Sequence, residues 1–320
     1  MHRRALGIAT AIMLAAGTAA AQDYPNRPVR ILLPFAAGGA VDSASRALQP
    51  ELQKILGQPV VMENRTGAGG TIAAGAVAAS PPDGYTLLMD ATNHMVNPAL
   101  VRNLPFDYAK AFAPVGLFVL FPQVITVKAA LPANTIQELV ALAKREPGKL
   151  SYGSPGNGTA GHIAGEFFKR CAGIDIQHVP YRGGADANRD LAAGTIEIGS
   201  TTLVSARPIL ESGRTRALAA MTPQRIASLP NVPTLSETIC PNFDVNDWAA
   251  LFAPAGTPAA IVARLNAAMA QALAEPALRE RLGQIGAVPV GGSPAELATL
   301  VRDGTESWGR IVREAGIRAE

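Results

Sequence analysis

The strongest constraint on the fold is a unit that occurs twice in the chain: a short strand, a glycine-containing loop and then a helix. The first copy reads LLPFAAGGAVDSASR at residues 32–46, and the second reads SYGSPGNGTAGH at residues 151–162. Around both copies, short β-rich segments alternate with helical patterns. Parallel strands need a crossover connection, which is usually a helix. The sequence therefore predicts an α/β protein with parallel sheets.

Hydrophobic periodicity and capping residues locate the individual elements. The first set has strands at 29–35, 59–64 and 85–90, a helix from about Asp42 and an alanine-rich helix at 69–80. The second set has strands near 150–152, 176–179, 196–199 and 215–220, with helices near 159–171, 184–193 and 203–211. Pro50 predicts a kink or a break in the first helix, because proline cannot donate the backbone hydrogen bond.

The amino terminus has the pattern of a secretory signal peptide at residues 1–21. Arg3 and Arg4 precede an apolar stretch at 5–17, and three alanines follow at 19–21. The apolar stretch is shorter than the roughly 20 residues that a membrane-spanning helix needs. We expect cleavage after Ala21 and export to the periplasm.

Charge and cysteine content limit the partners and the compartment. Without Arg3 and Arg4, the basic residues nearly balance the 25 acidic ones, so nothing in the net charge points to nucleic acid. The two cysteines, Cys171 and Cys240, are compatible with a disulfide in an oxidising compartment and equally with two buried thiols.

The glycine loops are suited to binding an anion. A strand that ends in glycines lets backbone N–H groups converge, and the next helix adds the positive end of its dipole. Two nucleotide signatures nearly fit the second loop. Thr159, however, stands where a phosphate loop needs lysine, and Asp175 precedes the next strand rather than following it. A nucleotide-dependent oxidoreductase that depends on Asp175 remains the alternative from another class.

Catalytic and metal-binding patterns are sparse. Beyond residue 21 the only histidines are His94, His162 and His178, and no H-x-x-x-H, C-x-x-C or G-x-S-x-G pattern occurs. The sequence predicts no enzyme, no metal and no cofactor. His162 can either donate to a ligand or pack internally, Asp42 most simply caps the first helix, and Asp90 suits an Asx turn as well as a ligand contact.

The chain resembles the Bug family, the extracytoplasmic solute receptors of tripartite tricarboxylate transporters. The resemblance rests on several blocks in the same order: YPNRPVRILLPFAAGGAVDSASR, GQPVVMENRTGAGGTIAAGAVAASPPDGYTLL, GKLSYGSPGNGTAGHIAGEFF, HVPYRGG, NVPTLSE and WAALFAPAGTP. These blocks extend over essentially all of the chain after residue 21.

The resemblance implies a two-domain periplasmic-binding-protein fold, a flytrap with the ligand cleft between its domains. Domain 1 would comprise 23–121 and 247–320, and domain 2 would comprise 122–246. The implied function is to capture a small carboxylate, such as an organic, aromatic or amino acid, for uptake by the membrane permease subunits of a tripartite tricarboxylate-type transporter. The receptor would be a monomer. A receptor that presents its ligand to a sensor protein is the alternative partner.

The resemblance also implies that both glycine loops bind the ligand, with help from the loop after Leu88. The first loop departs from the family in having alanines where prolines are common, and Thr201 and Thr202 lie in a segment where many members have an aspartate. The predicted ligand-binding residues are Phe35, Ala36, Ala37, Gly38, Gly39, Asp42, Asp90, Thr92, Asn93, Ser154, Gly156, Asn157, Gly158, Thr159, His162, Thr201 and Thr202.

Overall fold

A computed structural model describes residues 24–315 of the chain. The predicted signal peptide at 1–21 lies outside the described residues. Within 24–315, no helix is both long and apolar enough to cross a membrane.

The described chain is a mixed α/β structure. Its strands are β1 (Val29–Leu33), β2 (Val60–Asn64), β3 (Thr86–Asp90), β4 (Phe112–Lys128), β5 (Ser151–Ser154), β6 (Gln177–Pro180), β7 (Ile198–Thr202), β8 (Thr215–Ala220), β9 (Asn246–Pro254) and β10 (Val288–Pro289). Its helices are α1 (Ala40–Leu56), α2 (Thr71–Ala78), α3 (Asn93–Leu100), α4 (Tyr108–Ala111), α5 (Ile136–Arg145), α6 (Ala160–Ala172), α7 (Gly184–Ala193), α8 (Leu203–Glu211), α9 (Leu235–Thr238), α10 (Ala259–Ala274), α11 (Pro276–Ile285) and α12 (Pro294–Ala315).

The two predicted βαβ sets form parallel groups of strands. β1 pairs in parallel with β2 on one side and with β3 on the other. In the second set, β5 pairs in parallel with β6 and β7. The carboxyl ends of β1 and β5 lead into the two glycine loops, which therefore lie at the edge of a sheet where α/β proteins bind ligands.

Helix α1 shows why the sequence folds as it does around the first loop. Ala44, Leu48, Leu52 and Leu56 recur every four residues and form its buried face. The helix begins at Ala40, two residues before the predicted start, and continues through Pro50 without a break. Pro50 is exposed, so water can solvate the carbonyl that the proline leaves without a donor.

Two long strands join the parallel groups. β4 and β9 pair antiparallel, with Phe121 opposite Asp247 and Pro122 opposite Asn246. Beyond this point β4 changes partners and pairs with β7 and β8. The resulting sheet runs in the order β2-β1-β3-β9-β4-β7-β5-β6, with β8 and β10 also pairing with β4.

The hydrophobic cores follow this change of partners. Two clusters draw almost entirely on residues before 122 and after 246, whereas a third draws mainly on 125–245. A small cluster of Val96, Leu100, Ile163 and Val312 connects the two sides. We therefore propose the division predicted above, and we call residues 24–121 and 247–315 the first lobe and residues 122–246 the second lobe.

A disulfide joins Cys171 in the last turn of α6 to Cys240 just after α9, with their Cα atoms 5.8 Å apart. The sequence was compatible with either a disulfide or two buried thiols, and the structure has the disulfide. The bond links residues 69 positions apart within the second lobe. A cross-link over a loop of this length restricts the unfolded chain strongly.

We expect that replacing Cys171 by Ser together with Cys240 by Ala will lower the free energy of unfolding by about 2–4 kcal/mol. Urea denaturation of the oxidised wild-type protein and of the variant measures the difference. Wild-type protein in reductant should match the variant. An unchanged urea midpoint in reductant would show that the bond contributes nothing to stability.

Candidate functional site

The two glycine loops meet at the junction of the lobes. The N–H of Ala36 in the first loop donates to the carbonyl of Arg182 in the second lobe over 3.2 Å. A Cβ placed on Gly38 would lie 3.7 Å from the Cβ of Ala185, and one on Gly158 would lie 2.9 Å from Leu100 Cδ2. Each loop thus packs against the opposite lobe, and both lobes line the space between the loops.

A cavity of about 180 Å³ lies between the loops. The first lobe contributes Pro34, Phe35 and Gly67–Gly70, and the second contributes Pro155, Gly156, Asn157, Thr159, Pro180, Tyr181 and Arg182. The volume is below the roughly 300–1,000 Å³ of drug-sized pockets, so the cavity suits a smaller molecule.

Arg182 is the one cationic residue among those that line the cavity. It is exposed, and among residues 24–315 it forms no ion pair. Its guanidinium is therefore available to a carboxylate, which it can bind with two parallel hydrogen bonds. Arg182 was not among the site residues predicted from the sequence.

The first glycine loop is held from behind by α1. Gly38 has φ +78°, a conformation that favours glycine, and its N–H donates to Asp42 Oδ2 over 2.9 Å. Asp42 Oδ1 accepts from Arg46 and from Asn64. Burial alone would raise the pKa of Asp42, but the donors from Arg46, Gly38 and Asn64 together hold it below its usual value. Asp42 is thus an ionised support for the loop.

The second glycine loop is held by side chains of the same lobe. The N–H of Gly156 donates to Ser154 Oγ over 3.2 Å, and the N–H of Gly158 donates to His162 Nδ1 over 3.2 Å. Thr159 is the N-cap of α6 and also donates to the carbonyl of Gly156. Two of the donors that the sequence assigned to an anion are therefore occupied by the loop's own supports.

His162 belongs to a buried stack behind the second loop. Its ring lies parallel to that of His178, with centroids 4.1 Å apart, and His178 Nε2 lies 2.7 Å from Ser154 Oγ. Burial lowers the pKa of His162 to about 4, and burial together with the neighbouring His162 lowers that of His178 to about 3. Both rings are neutral at pH 7, which allows His162 Nδ1 to accept the N–H of Gly158.

A smaller cavity of about 20 Å³ adjoins the loops, and one carboxylate faces it. Its wall includes Gly39, Thr202, Ser205 and Asp247. Asp247 accepts the N–H groups of Thr92 and of Trp248. Burial raises the pKa of the Asp247 carboxyl despite these donors, and the charge of Asp90 acts in the same direction. Asp247 is the only acidic residue in the walls of the two cavities.

The predicted site residues divide into those in the cavity walls and those behind them. Phe35, Gly39, Gly156, Asn157, Thr159 and Thr202 line one or both cavities. The others lie in or behind the loops without lining either cavity: Ala36, Ala37, Gly38, Asp42, Asp90, Thr92, Asn93, Ser154, Gly158, His162 and Thr201.

Several of these side chains have clear supporting contacts. Asn93 Nδ2 donates to the carbonyl of Gly69, and Thr201 exchanges hydrogen bonds with Asn188. Asp90 accepts the N–H of Ala91, one residue on, whereas the predicted Asx turn takes the N–H two residues on. The other oxygen of Asp90 pairs with His94. These contacts indicate that the three side chains support the shape of the site and do not form the cavity walls.

Sequence reasoning missed part of the wall. Gly67–Gly70 connects β2 to α2 and repeats the strand–glycine–helix pattern, so the same argument would have found it. Tyr181 and Arg182 follow β6 at the corresponding edge of the second lobe. Asp247 had no local signal, because only the pairing of β9 with β4 brings it to the loops.

The structure also bears on the nucleotide alternative. The carbonyl of Asp175 accepts the N–H of Gly148, which precedes β5, whereas the glycine loop follows β5. Asp175 is therefore at the opposite end of the strands from the loop and cannot reach a ribose held there. Within residues 24–315, no three His, Cys, Asp or Glu side chains form a group that could hold a metal ion.

Comparisons with known proteins agree with this geometry. The family model described as the tripartite tricarboxylate transporter family receptor matches residues 44–317. Protein BugT of Bordetella pertussis is 33% identical over 315 residues, covering 98% of this chain and 97% of BugT.

Two solved structures are similar over nearly their whole length. The R. palustris protein Rpa4515 with adipate has a TM-score of 0.90 and 35% identity, covering 92% of this chain and 99% of that one. MatC from Rhodopseudomonas palustris with bound malate has a TM-score of 0.85 and 33% identity, covering 90% and 100%. These similarities confirm the predicted periplasmic-binding-protein fold.

We expect acid to destabilise the protein through the buried histidine stack. Unfolded histidines have a pKa near 6.5, so below that pH the unfolded chain binds protons that folded His162 binds only near pH 4. The free energy of unfolding should be nearly constant above pH 7 and should fall as the pH decreases toward 4. The expected contribution of His162 is about 2 kcal/mol between pH 7 and pH 5.

Chemical denaturation at several pH values measures this dependence, with His162→Asn as the comparison. Asparagine retains an acceptor for the N–H of Gly158 but does not titrate in this range. The variant should lose less stability between pH 7 and pH 5 than the wild-type protein. If both proteins lost the same stability between pH 7 and pH 5, His162 would not contribute to the acid dependence.

Proposed function

Because the chain belongs to the tripartite tricarboxylate transporter receptor family, also known as the Bug family, we propose that it captures a small carboxylate and delivers it to membrane permease subunits. Receptors of this family are periplasmic solute-binding proteins. The predicted signal peptide at 1–21 would bring this chain to that compartment. The observation that carries the proposal is the cavity lined by both lobes, with Arg182 in its wall.

A carboxylate is the ligand group that best fits this cavity. Arg182 provides a charged donor from the second lobe, and the loops at Phe35 and Gly156 allow close approach to the backbone. Similar proteins have been solved with adipate and with malate, which are both small dicarboxylates. A ligand that contacts both lobes also favours the conformation in which they meet, since it binds that state more tightly.

Asp247 affects which carboxylates can bind as ligands. Its carboxyl lies where a ligand's second functional group could reach it, in the small cavity beside the loops. An ionised Asp247 attracts an ammonium group and repels a second carboxylate. The ligand class therefore depends on this residue more than on the backbone donors, which accept any carboxylate.

We expect one small carboxylate to raise the melting temperature of the mature protein, and NAD, NADP and ATP to leave it unchanged. A ligand at a hundredfold excess over its Kd stabilises the folded state by about 2.7 kcal/mol. A thermal-shift screen of aliphatic, aromatic and amino-acid carboxylates makes the measurement. A shift with nucleotides alone would contradict the proposal.

The same screen tests the role of Arg182. Arg182→Gln removes the charge and should weaken binding about tenfold or more, since hydrogen bonds to charged groups contribute roughly 1.5–3 kcal/mol. Arg214→Gln is the matched control, because Arg214 is an exposed arginine of the same lobe that lines neither cavity. Equal affinity in both variants would exclude Arg182 from carboxylate binding.

For Asp247, we expect Asp247→Asn to weaken aspartate binding at least tenfold relative to succinate, measured by calorimetry at pH 8. The amide still accepts the N–H groups of Thr92 and Trp248 but no longer attracts an ammonium group. Asp244→Asn is the control, because Asp244 is an exposed aspartate three residues away. Equal losses for both ligands would mean that Asp247 only supports the fold.

A further inference from the structure

The first lobe contains a third cavity, of about 470 Å³, which is larger than the two at the glycine loops. It shares no lining residue with the two cavities at the glycine loops. Its volume is within the roughly 300–1,000 Å³ of small-molecule sites. Nothing in the proposed transport function requires this space.

The walls of this cavity are apolar and partly aromatic. One face of α12 forms one side through Ala298, Val301, Arg302 and Thr305, whose spacing places them together on the helix surface. Tyr108, Phe112 and Phe252 form much of the other side. Aromatic side chains of this kind pack well against a flat ring.

His94 brings a polar group into this apolar surface. Its side chain is 1% exposed and its ring is stacked on Phe252, with centroids 4.1 Å apart. Edge contact with Tyr108 limits its rotation further. The ring is therefore fixed in one orientation by the side chains around it.

Asp90 determines which tautomer the neutral His94 ring adopts. Asp90 Oδ2 lies 2.9 Å from His94 Nδ1, and a carboxylate can only accept, so Nδ1 donates. In the neutral ring, Nε2 is then a hydrogen-bond acceptor. Within residues 24–315, Nε2 has no protein partner, and His94 lines the cavity.

Arg302 adds a positive charge at the other side of the cavity. Its side chain is 71% exposed, and its one ion pair among the described residues is to the neighbouring Asp303, which is also exposed. Exposed pairs of this kind contribute little energy, so a carboxylate can compete for the guanidinium. The cavity thus combines an acceptor on a buried histidine, aromatic walls and a cation at its opening.

We propose that this cavity binds a small hydroxylated aromatic acid. The ring would pack against the aromatic wall, the hydroxyl would donate to His94 Nε2 and the carboxylate would meet Arg302. A hydroxyl on the ligand can donate to this acceptor, whereas an apolar edge cannot, which is why the ligand should carry a donor. The site is separate from the glycine loops and its ligand need not be the transported one.

The test is calorimetric titration of the mature protein with 4-hydroxybenzoate, and with benzoate as the probe that lacks the hydroxyl. We expect 4-hydroxybenzoate to bind at least tenfold more tightly than benzoate. Ala298→Trp fills the cavity from an exposed helix position and should weaken 4-hydroxybenzoate binding at least tenfold. Ala295→Trp, an exposed position on α12 outside the cavity wall, should leave it within twofold.

Two further variants separate the polar contacts. Arg302→Gln should weaken both acids by similar factors, because both carry the carboxylate. His94→Phe should abolish the preference for the hydroxylated acid. No binding of 4-hydroxybenzoate at millimolar concentration, no preference over benzoate, or unchanged affinity in Ala298→Trp would each overturn the proposal. The last result would indicate that the acid binds at the glycine loops instead.

Discussion

The antiparallel pairing of β4 with β9 is the constraint on which the rest of the structure depends. At Phe121 and Pro122, β4 leaves its pairing with β9 and continues into the sheet of the second lobe. The same register places Asp247 opposite Phe121, at the start of the return strand. The chain therefore crosses between the lobes in two adjacent strands, β4 and β9.

Each glycine loop is held by a side chain of its own lobe. Gly38 and Gly158 donate to Asp42 and His162, which belong to the helices that follow each loop. These bonds use donors that an anion could otherwise take, and in exchange they hold the loops in one conformation. A site held in this way loses less conformational freedom on binding. In the function we propose, the attraction for a carboxylate then rests more on Arg182 than on the number of free backbone groups.

Local patterns predicted much of the fold. The bounds of α7, α8 and β8 agree with the periodicity of their sequences, because each has a clear apolar face and glycine or polar ends. Helix α3 was not predicted, since Asn93, Asn97 and Pro98 are poor helix formers. It forms because Val96 and Leu100 pack against Ile163 and Val312.

The candidate site was less predictable for a related reason. Glycine and threonine positions in the cavity walls have local signals, because a loop that follows a strand is visible in sequence. Asp247 reaches the cavity only through the pairing of β9 with β4 across a long sequence distance. Arg182 follows a predicted strand, β6, and could have been found from that position. A polar side chain next to a loop can face either the ligand or the backbone. The structure was needed to show that His162 and Asp42 accept hydrogen bonds from the backbone of the loops.

One short segment, residues 90–94, connects the cleft with the cavity under α12. Thr92 donates its N–H to Asp247 beside the loops, while Asp90 and His94 pair on the side of the larger cavity. His94 stacks on Phe252, which belongs to β9, the strand that also carries Asp247. The two cavities share no wall residue, yet the same strand and the same turn position a polar group in each. The positions of both polar groups therefore depend on β9.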